Sequence, residues 1–257
     1  MPILTLLTDF GTGDYYVAAV KGTVLRLAPG ATLVDVSHQV PPGDVETASF
    51  LLAAAAPSFP AGTVHLAVVD PGVGSGRPIL AVRTAEALFL APDNGLLTPF
   101  LDGAEVRSVE NSDLFLPSPG QTFHGRDRFA PVAARLLREE GRLEELGPEV
   151  TDPVRLSAPA PVRLPGRISG RVVHVDRYGN LVTDLPAAWL PDGPCRAEVD
   201  GHAASRRVTH YAEIPPGEAA MLPGSLGTVE LSLNGTDLAR AWGAGRGARV
   251  DITWNES

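Results

Sequence analysis

The sequence predicts an α/β protein. An amino-terminal domain, residues 1–158, is built on a mainly parallel sheet, and an antiparallel β-barrel domain follows at residues 166–257. Three observations carry that expectation. Apolar runs of strand length alternate with stretches of helical spacing through the first half, which is the pattern of strand–helix–strand crossovers. Residues 157–166, SAPAPVRLPG, hold three prolines in ten positions and so favour an extended linker. Beyond it the runs shorten and are separated by Gly, Pro and Asp, as in a small antiparallel barrel or sandwich.

In order, residues 3–7 read as a strand, 15–27 as a helix, 32–36 as a strand, 45–56 as a helix and 64–69 as a buried strand. Apolar stretches at 79–82 and 87–90 continue the sheet. Residues 127–140 form an amphipathic helix through Phe129, Val132, Ala133, Leu136 and Leu137. In the second domain the β-rich runs are 167–175, 181–183, 197–199, 206–209, 227–233 and 249–253. A chain of 257 residues with 44% hydrophobic composition has enough apolar surface for one large core or two moderate ones.

Composition excludes several functions. A formal charge of -9 disfavours nonspecific nucleic-acid binding, which needs Lys and Arg to displace phosphate counterions, and suits a cationic or neutral small molecule. The one cysteine, Cys195, reads as a small core residue and forms neither an internal disulfide nor a thiolate metal cluster. No apolar run approaches the roughly 20 residues of a membrane span, and the first strand follows no basic leader, so a cytoplasmic protein is expected.

Ligands of open α/β sheets gather outside the carboxyl ends of strands, and three loops there hold carboxylates: Asp9, Asp70 and Asp93. In VHLAVVDPGVGSGR, Asp70 ends the strand and Gly72, Gly74 and Gly76 leave room for close backbone approach. Arg77 is placed to fold back on Asp70. The same residues also suit a plain Pro-Gly turn with a surface ion pair. His124, in TFHGRD before the amphipathic helix, completes an Asp, Arg, His set able to orient a water, while Asp127 reads equally as a helix cap. The glycine run is not G-x-G-x-x-G, since Arg77 stands at the third glycine position. A dimetal hydrolase using Asp9, Asp70, Asp93 and His124 stays open as the alternative, although Arg77 would compete with a metal for Asp70.

Five stretches together resemble the S-adenosylmethionine hydroxide adenosyltransferases, adenosine-forming hydrolases related to the fluorinase and chlorinase. They are LTDFGTGDYYVAAVKG, VVDPGVGSGR, PDNGLLT, TFHGRDRFAPVAA and VDRYGNLVTD, in that order along most of the chain. The resemblance implies an α/β domain, a β-barrel domain, and a homotrimer whose substrate lies between one subunit's first domain and its neighbour's second. It implies S-adenosylmethionine as substrate, with no cofactor, no metal, no nucleic acid and no membrane partner.

Carried over by position, the water-activating set falls on Asp70, Arg77 and His124. Asp9 matches the acid that holds the ribose hydroxyls, Asp176 the one facing the methionine amino group, and Asn180 the adenine-binding amide. Tyr211 sits near the adenine-stacking aromatic, a barrel-surface tyrosine being the other reading. Asn234 falls where methionine-carboxylate contacts are made, with Leu238 one place off the family spacing. Gly125 and Asp70 stand where the halogenases carry a hydroxyl-bearing and an uncharged residue, which implies water rather than halide as nucleophile. A noncatalytic binding protein with the same pocket is the remaining alternative.

Overall fold

The computed structural model describes residues 2–117, 120, 122–138 and 142–255. The chain divides into two compact units, Met1–Leu156 and Ser157–Ser257.

In the first unit β1 (Ile3–Thr8), α1 (Tyr16–Leu27), β2 (Thr32–Ser37), α2 (Val45–Ala55) and β3 (Thr63–Val68) follow the expected alternation. Then come β4 (Ile79–Arg83), β5 (Ala87–Pro92), β6 (Glu105–Ser108) and α3 (Ala130–Arg138). The six strands lie in the order β2-β1-β3-β5-β4-β6. The first four of that order are parallel neighbours, whereas β4 runs antiparallel to both β5 and β6. The stretch at 79–82 therefore does not extend the parallel ladder, because the short turn at Thr84 leaves no length for a crossover and closes a hairpin instead.

Period-two alternation distributes the core. Leu4 and Leu6, with Val64, Leu66 and Val68, pack in one cluster with residues of α1 and α3. Leu7, Ala67 and Val69 pack in the other cluster with Ala48 and Leu52 of α2. Helix α2 starts at Asp44, whose carboxylate accepts from the Thr47 amide at 3.1 Å and the Thr47 hydroxyl at 2.7 Å. The predicted helix at 127–140 begins earlier than expected: Gly125–Phe129 form a π-helical turn that runs into α3. Asp127 thus lies inside the turn, paired with Arg126, and is not its cap. Residues 139 and 140 lie outside the described residues.

The second unit contains β7 (Val162–Leu164), β8 (Arg167–Val175), β9 (Leu181–Pro186), β10 (Arg196–Val199), β11 (His202–Ala204) and β12 (Arg206–Arg207). It continues with β13 (Ala219–Pro223), β14 (Thr228–Leu233), α4 (Leu238–Trp242) and β15 (Arg249–Thr253). The strands form a barrel-like sheet ordered β11-β10-β15-β8-β9-β14-β13-β12, with β7 added against β8. Part of the expected linker is therefore a strand. Pro165 and Gly166, the latter at φ 66, form the corner between β7 and β8, and Val162, Arg163 and Leu164 still pair across it. The short helix α4 has no counterpart in the sequence reading; Asp237 caps it by accepting from the Arg240 amide at 2.7 Å.

Candidate active site

Parallel pairing places the first-unit residues together. Thr8 of β1 is in register with Val68 of β3, so Asp9 and Asp70 leave the sheet side by side at its carboxyl edge. The Asn94 side chain, just past β5 on the same edge, donates to the Val69 carbonyl at 2.9 Å and braces the strand end before Asp70. Asp9, Asp70 and His124 line one cavity of about 280 Å³. The rings of Phe10, Tyr15, Tyr16 and Phe123 crowd one another along it, with centroids from 4.7 to 6.2 Å apart.

Arg77 joins the polar residues. Its Nε lies 2.8 and 2.9 Å from the two Asp70 oxygens and its Nη2 makes a further close contact with Oδ2, a fork-shaped pairing. The same Nη2 lies 3.4 Å from His124 Nδ1. The guanidinium also sits 5.5 Å above the buried ring of Phe129. Because Arg has no acceptor, His124 Nδ1 must accept there, which leaves the imidazole proton on Nε2. That nitrogen is buried and has no hydrogen-bond partner among the described residues. Burial, with the Arg128 and Arg77 charges, lowers the His124 pKa below the ordinary histidine value, outweighing Asp70 and Asp127. His124 is therefore neutral at pH 7.

Asp9 accepts from the Gly43 amide at 2.9 Å. Beneath its loop lies a polar chain that sequence reading missed: Thr8 Oγ1 is 2.8 Å from His38 Nδ1, and His38 Nε2 is 3.0 Å from Asp35. Lys21 donates to Asp35 at 2.6 Å, and the Phe10 amide donates back to Thr8 at 3.3 Å. The available signal was a histidine at the carboxyl end of β2, the same sheet edge as Asp9. Asp93, the third carboxylate of that edge, accepts from the Val154 amide at 2.8 Å and is not among the residues lining the cavity. Among the described residues no three His, Cys, Asp or Glu side chains form a metal-sized cluster.

The second unit gathers Asp176, Asn180, Tyr211 and Asn234 around another cavity, of about 670 Å³. Asp176 organises its turn by accepting from the Tyr178 amide at 2.8 Å, the Asn180 amide at 2.9 Å and the Asn180 side chain at 2.8 Å. Gly179 is required there: its φ is 82, and a Cβ would meet Asp237 at 2.2 Å. The Asn234 side-chain amide donates to the Ile214 carbonyl, and its oxygen remains an acceptor with no donor among the described residues. Tyr211 is half exposed, and its hydroxyl donates to the buried Glu230.

An α/β unit with an Asp–Arg–His cluster at its sheet edge, and a barrel unit with a polar, tyrosine-walled cavity, define a small-molecule protein in the class of two-domain α/β-plus-barrel folds. The family model described as SAM hydroxide adenosyltransferase N-terminal domain matches residues 4–147, and that of the C-terminal domain matches residues 170–251. The chain belongs to this family. It is 38% identical to the (R)-S-adenosyl-L-methionine hydrolase of Salinispora tropica over 98% of both chains. Against the protein of that name from Thermus thermophilus the identity is 40%, over 96% of this chain and 97% of the other. A fluorinase from an Actinoplanes species is 30% identical over 72% of each chain. Among solved structures, an uncharacterized conserved protein from Thermotoga maritima superposes with a TM-score of 0.90 at 34% identity, covering 98% of this chain and all of the other.

Proposed function

We propose that this chain hydrolyses S-adenosyl-L-methionine to adenosine and L-methionine. The observation that carries the proposal is that Asp70 and His124 line one cavity and are tied to each other through Arg77. Identity of 36–40% to three proteins named (R)-S-adenosyl-L-methionine hydrolase over nearly their whole length supports it.

The substrate carries its own leaving group, because a sulfonium departs as a neutral thioether and needs no acid. Water attacks C5′ in line: the C5′–O bond forms, the C5′–S bond breaks with its electron pair going to sulfur, and one proton is released. Asp70 accepts the hydrogen bond and then the proton, while neutral His124 and Arg77 hold the water and the carboxylate in place. Fixing both reactants recovers much of the entropy cost of a bimolecular step. Asp9 holds the ribose hydroxyls. Asn180 and Tyr211 bind adenine, and Asp176 and Asn234 bind the methionine end.

A homotrimer, in which first-unit residues of one subunit and second-unit residues of its neighbour serve one substrate, belongs to the same proposal, as does a cytoplasmic location. Among the described residues no helix is long and apolar enough to cross a membrane.

Water is preferred to halide for two reasons. Asp70 puts negative charge where an anion would approach, and Gly125 offers no hydroxyl. A Cβ at Gly125 would lie 3.2 Å from the Phe10 ring and 3.3 Å from that of Phe123, so a side chain there requires both rings to shift. The dimetal alternative is weakened because the Arg77 guanidinium competes with a metal for Asp70 and the Val154 amide holds Asp93.

Incubating the purified protein with S-adenosyl-L-methionine and separating the products tests the reading. Adenosine and methionine in equal amounts, undiminished by exhaustive chelation, are expected. Stoichiometric binding without products would establish the noncatalytic alternative, and loss on chelation with recovery on one divalent ion the dimetal one.

A further inference from the structure

Strand β14 has a feature that the proposed reaction does not use. Positions alternate along it, so Val229 and Leu231 enter the barrel core while Glu230, Ser232 and Asn234 share the opposite face. Ser232 and Asn234 line the second-unit cavity. Glu230, two residues further from it, faces a small apolar cluster of Val208, Ile214, Ala220 and Leu222, with Leu222 its cross-strand partner. A carboxylate that is 6% exposed in such surroundings is costly unless hydrogen-bonded, and a Val or Thr would fit a mid-sheet position at less cost. Its partner among the described residues is the hydroxyl of Tyr211, a residue of the turn Tyr211–Glu213 that also lines the cavity.

The geometry points to Glu230 as a positioning residue that holds the Tyr211 ring as a fixed wall of the nucleoside pocket; this rests on the reading of that pocket as the adenine site. The ring is half exposed, so packing alone does not settle its rotamer, whereas a bond from its hydroxyl to a buried strand residue does. Burial and the Glu230 charge raise the Tyr211 pKa, so the phenol remains a donor throughout the physiological range. A wall already in place spares a ligand the entropy of ordering it.

Adenosine binding by calorimetry, with thermal unfolding of the unliganded protein as control, tests this. The wild type is expected to bind adenosine. Tyr211→Phe, which keeps the ring and removes the hydroxyl, and Glu230→Ala should each weaken binding by about tenfold. The double variant should be no weaker than either single one, since both break the same bond. Glu230→Gln, which keeps a carbonyl acceptor, should bind within about threefold of wild type. Single variants that bind like wild type, or losses that add in the double variant, would overturn the positioning role while leaving the nucleoside pocket in place. A wild type that binds no adenosine would overturn the pocket reading itself. Should Glu230→Ala fail to fold, Tyr211→Phe and Glu230→Gln decide the question.

Discussion

The two units build their cavities from different materials. In the first, Asp9 and Asp70 leave the ends of buried strands, His124 stands at the start of a helical turn, and Arg77 from the loop before β4 joins Asp70 to His124. In the second, Ser232 and Leu233 of β14 share the lining with turn residues, and Asp176 uses three acceptor contacts on the shape of its own loop. The first cavity is also the smaller, about 280 Å³ against about 670 Å³. Chemistry at a reacting atom needs groups fixed to a fraction of an ångström, which a sheet edge supplies. Recognition of a larger ligand tolerates turns, provided their backbone is braced. The histidines divide the same way: His38, His65 and His124 of the first unit are buried, whereas His174, His202 and His210 of the second are not.

If the division of labour is right, damage in the first cavity falls on turnover. Asp70→Ala should lower kcat by about a thousandfold or more while adenosine affinity holds within a few-fold, as steady-state kinetics and calorimetry would report. Equal losses in both would erase the distinction between the cavities.

Acid should attack the first unit before the second. His65 is held by Thr5 at 2.7 Å and stacked on Phe89, and burial lowers its pKa to about 4. The unfolded chain therefore takes up a proton near pH 6.5 that the folded chain refuses until near pH 4. Stability is full above the unfolded value and falls through that window by roughly 3 kcal/mol in total. Denaturant titration at several pH values should show this slope, and His65→Gln should flatten it whatever it does to the plateau.

His124 sharpens the comparison by its charge state. Since its pKa is lowered, the neutral form persists as pH falls below the usual histidine range, and activity should drop only as pH falls through the lowered value. His124→Ala should lose about a hundredfold in kcat and lose that acid limb. The smallest effect belongs to the second unit: Asn180→Ala should weaken adenosine binding about tenfold with kcat less affected.

The parallel half of the sheet and the barrel were legible because they follow from apolar periodicity, and Asp9 and Asp70 because ligands tend to collect at strand ends, whereas Asp176, Asn180, Tyr211 and Asn234 stood out only through the family resemblance. What escaped depends on contacts distant in sequence. The apolar run of β4 looks like its parallel neighbours and only the short gap at residues 84–86 marks a hairpin, while the Val162–Leu164 strand hides among prolines until β8 pairs with it. Glu230 reads as a polar residue in a strand until the Tyr211 segment folds over it, and His38 gains meaning only when β1 places Thr8 beside it. The π-helical start at Gly125 was likewise invisible to a pattern of 3.6-residue period.

The most direct test of the account follows the oxygen. In water enriched in heavy oxygen, with concentrated chloride present, mass spectrometry should find one label at the 5′-hydroxyl of adenosine and none in methionine, because in-line attack puts the solvent oxygen on C5′ and releases an intact thioether. Unlabelled adenosine, or 5′-chloroadenosine accumulating in its place, would contradict the assignment of water as nucleophile and of Asp70 as the group that receives its proton.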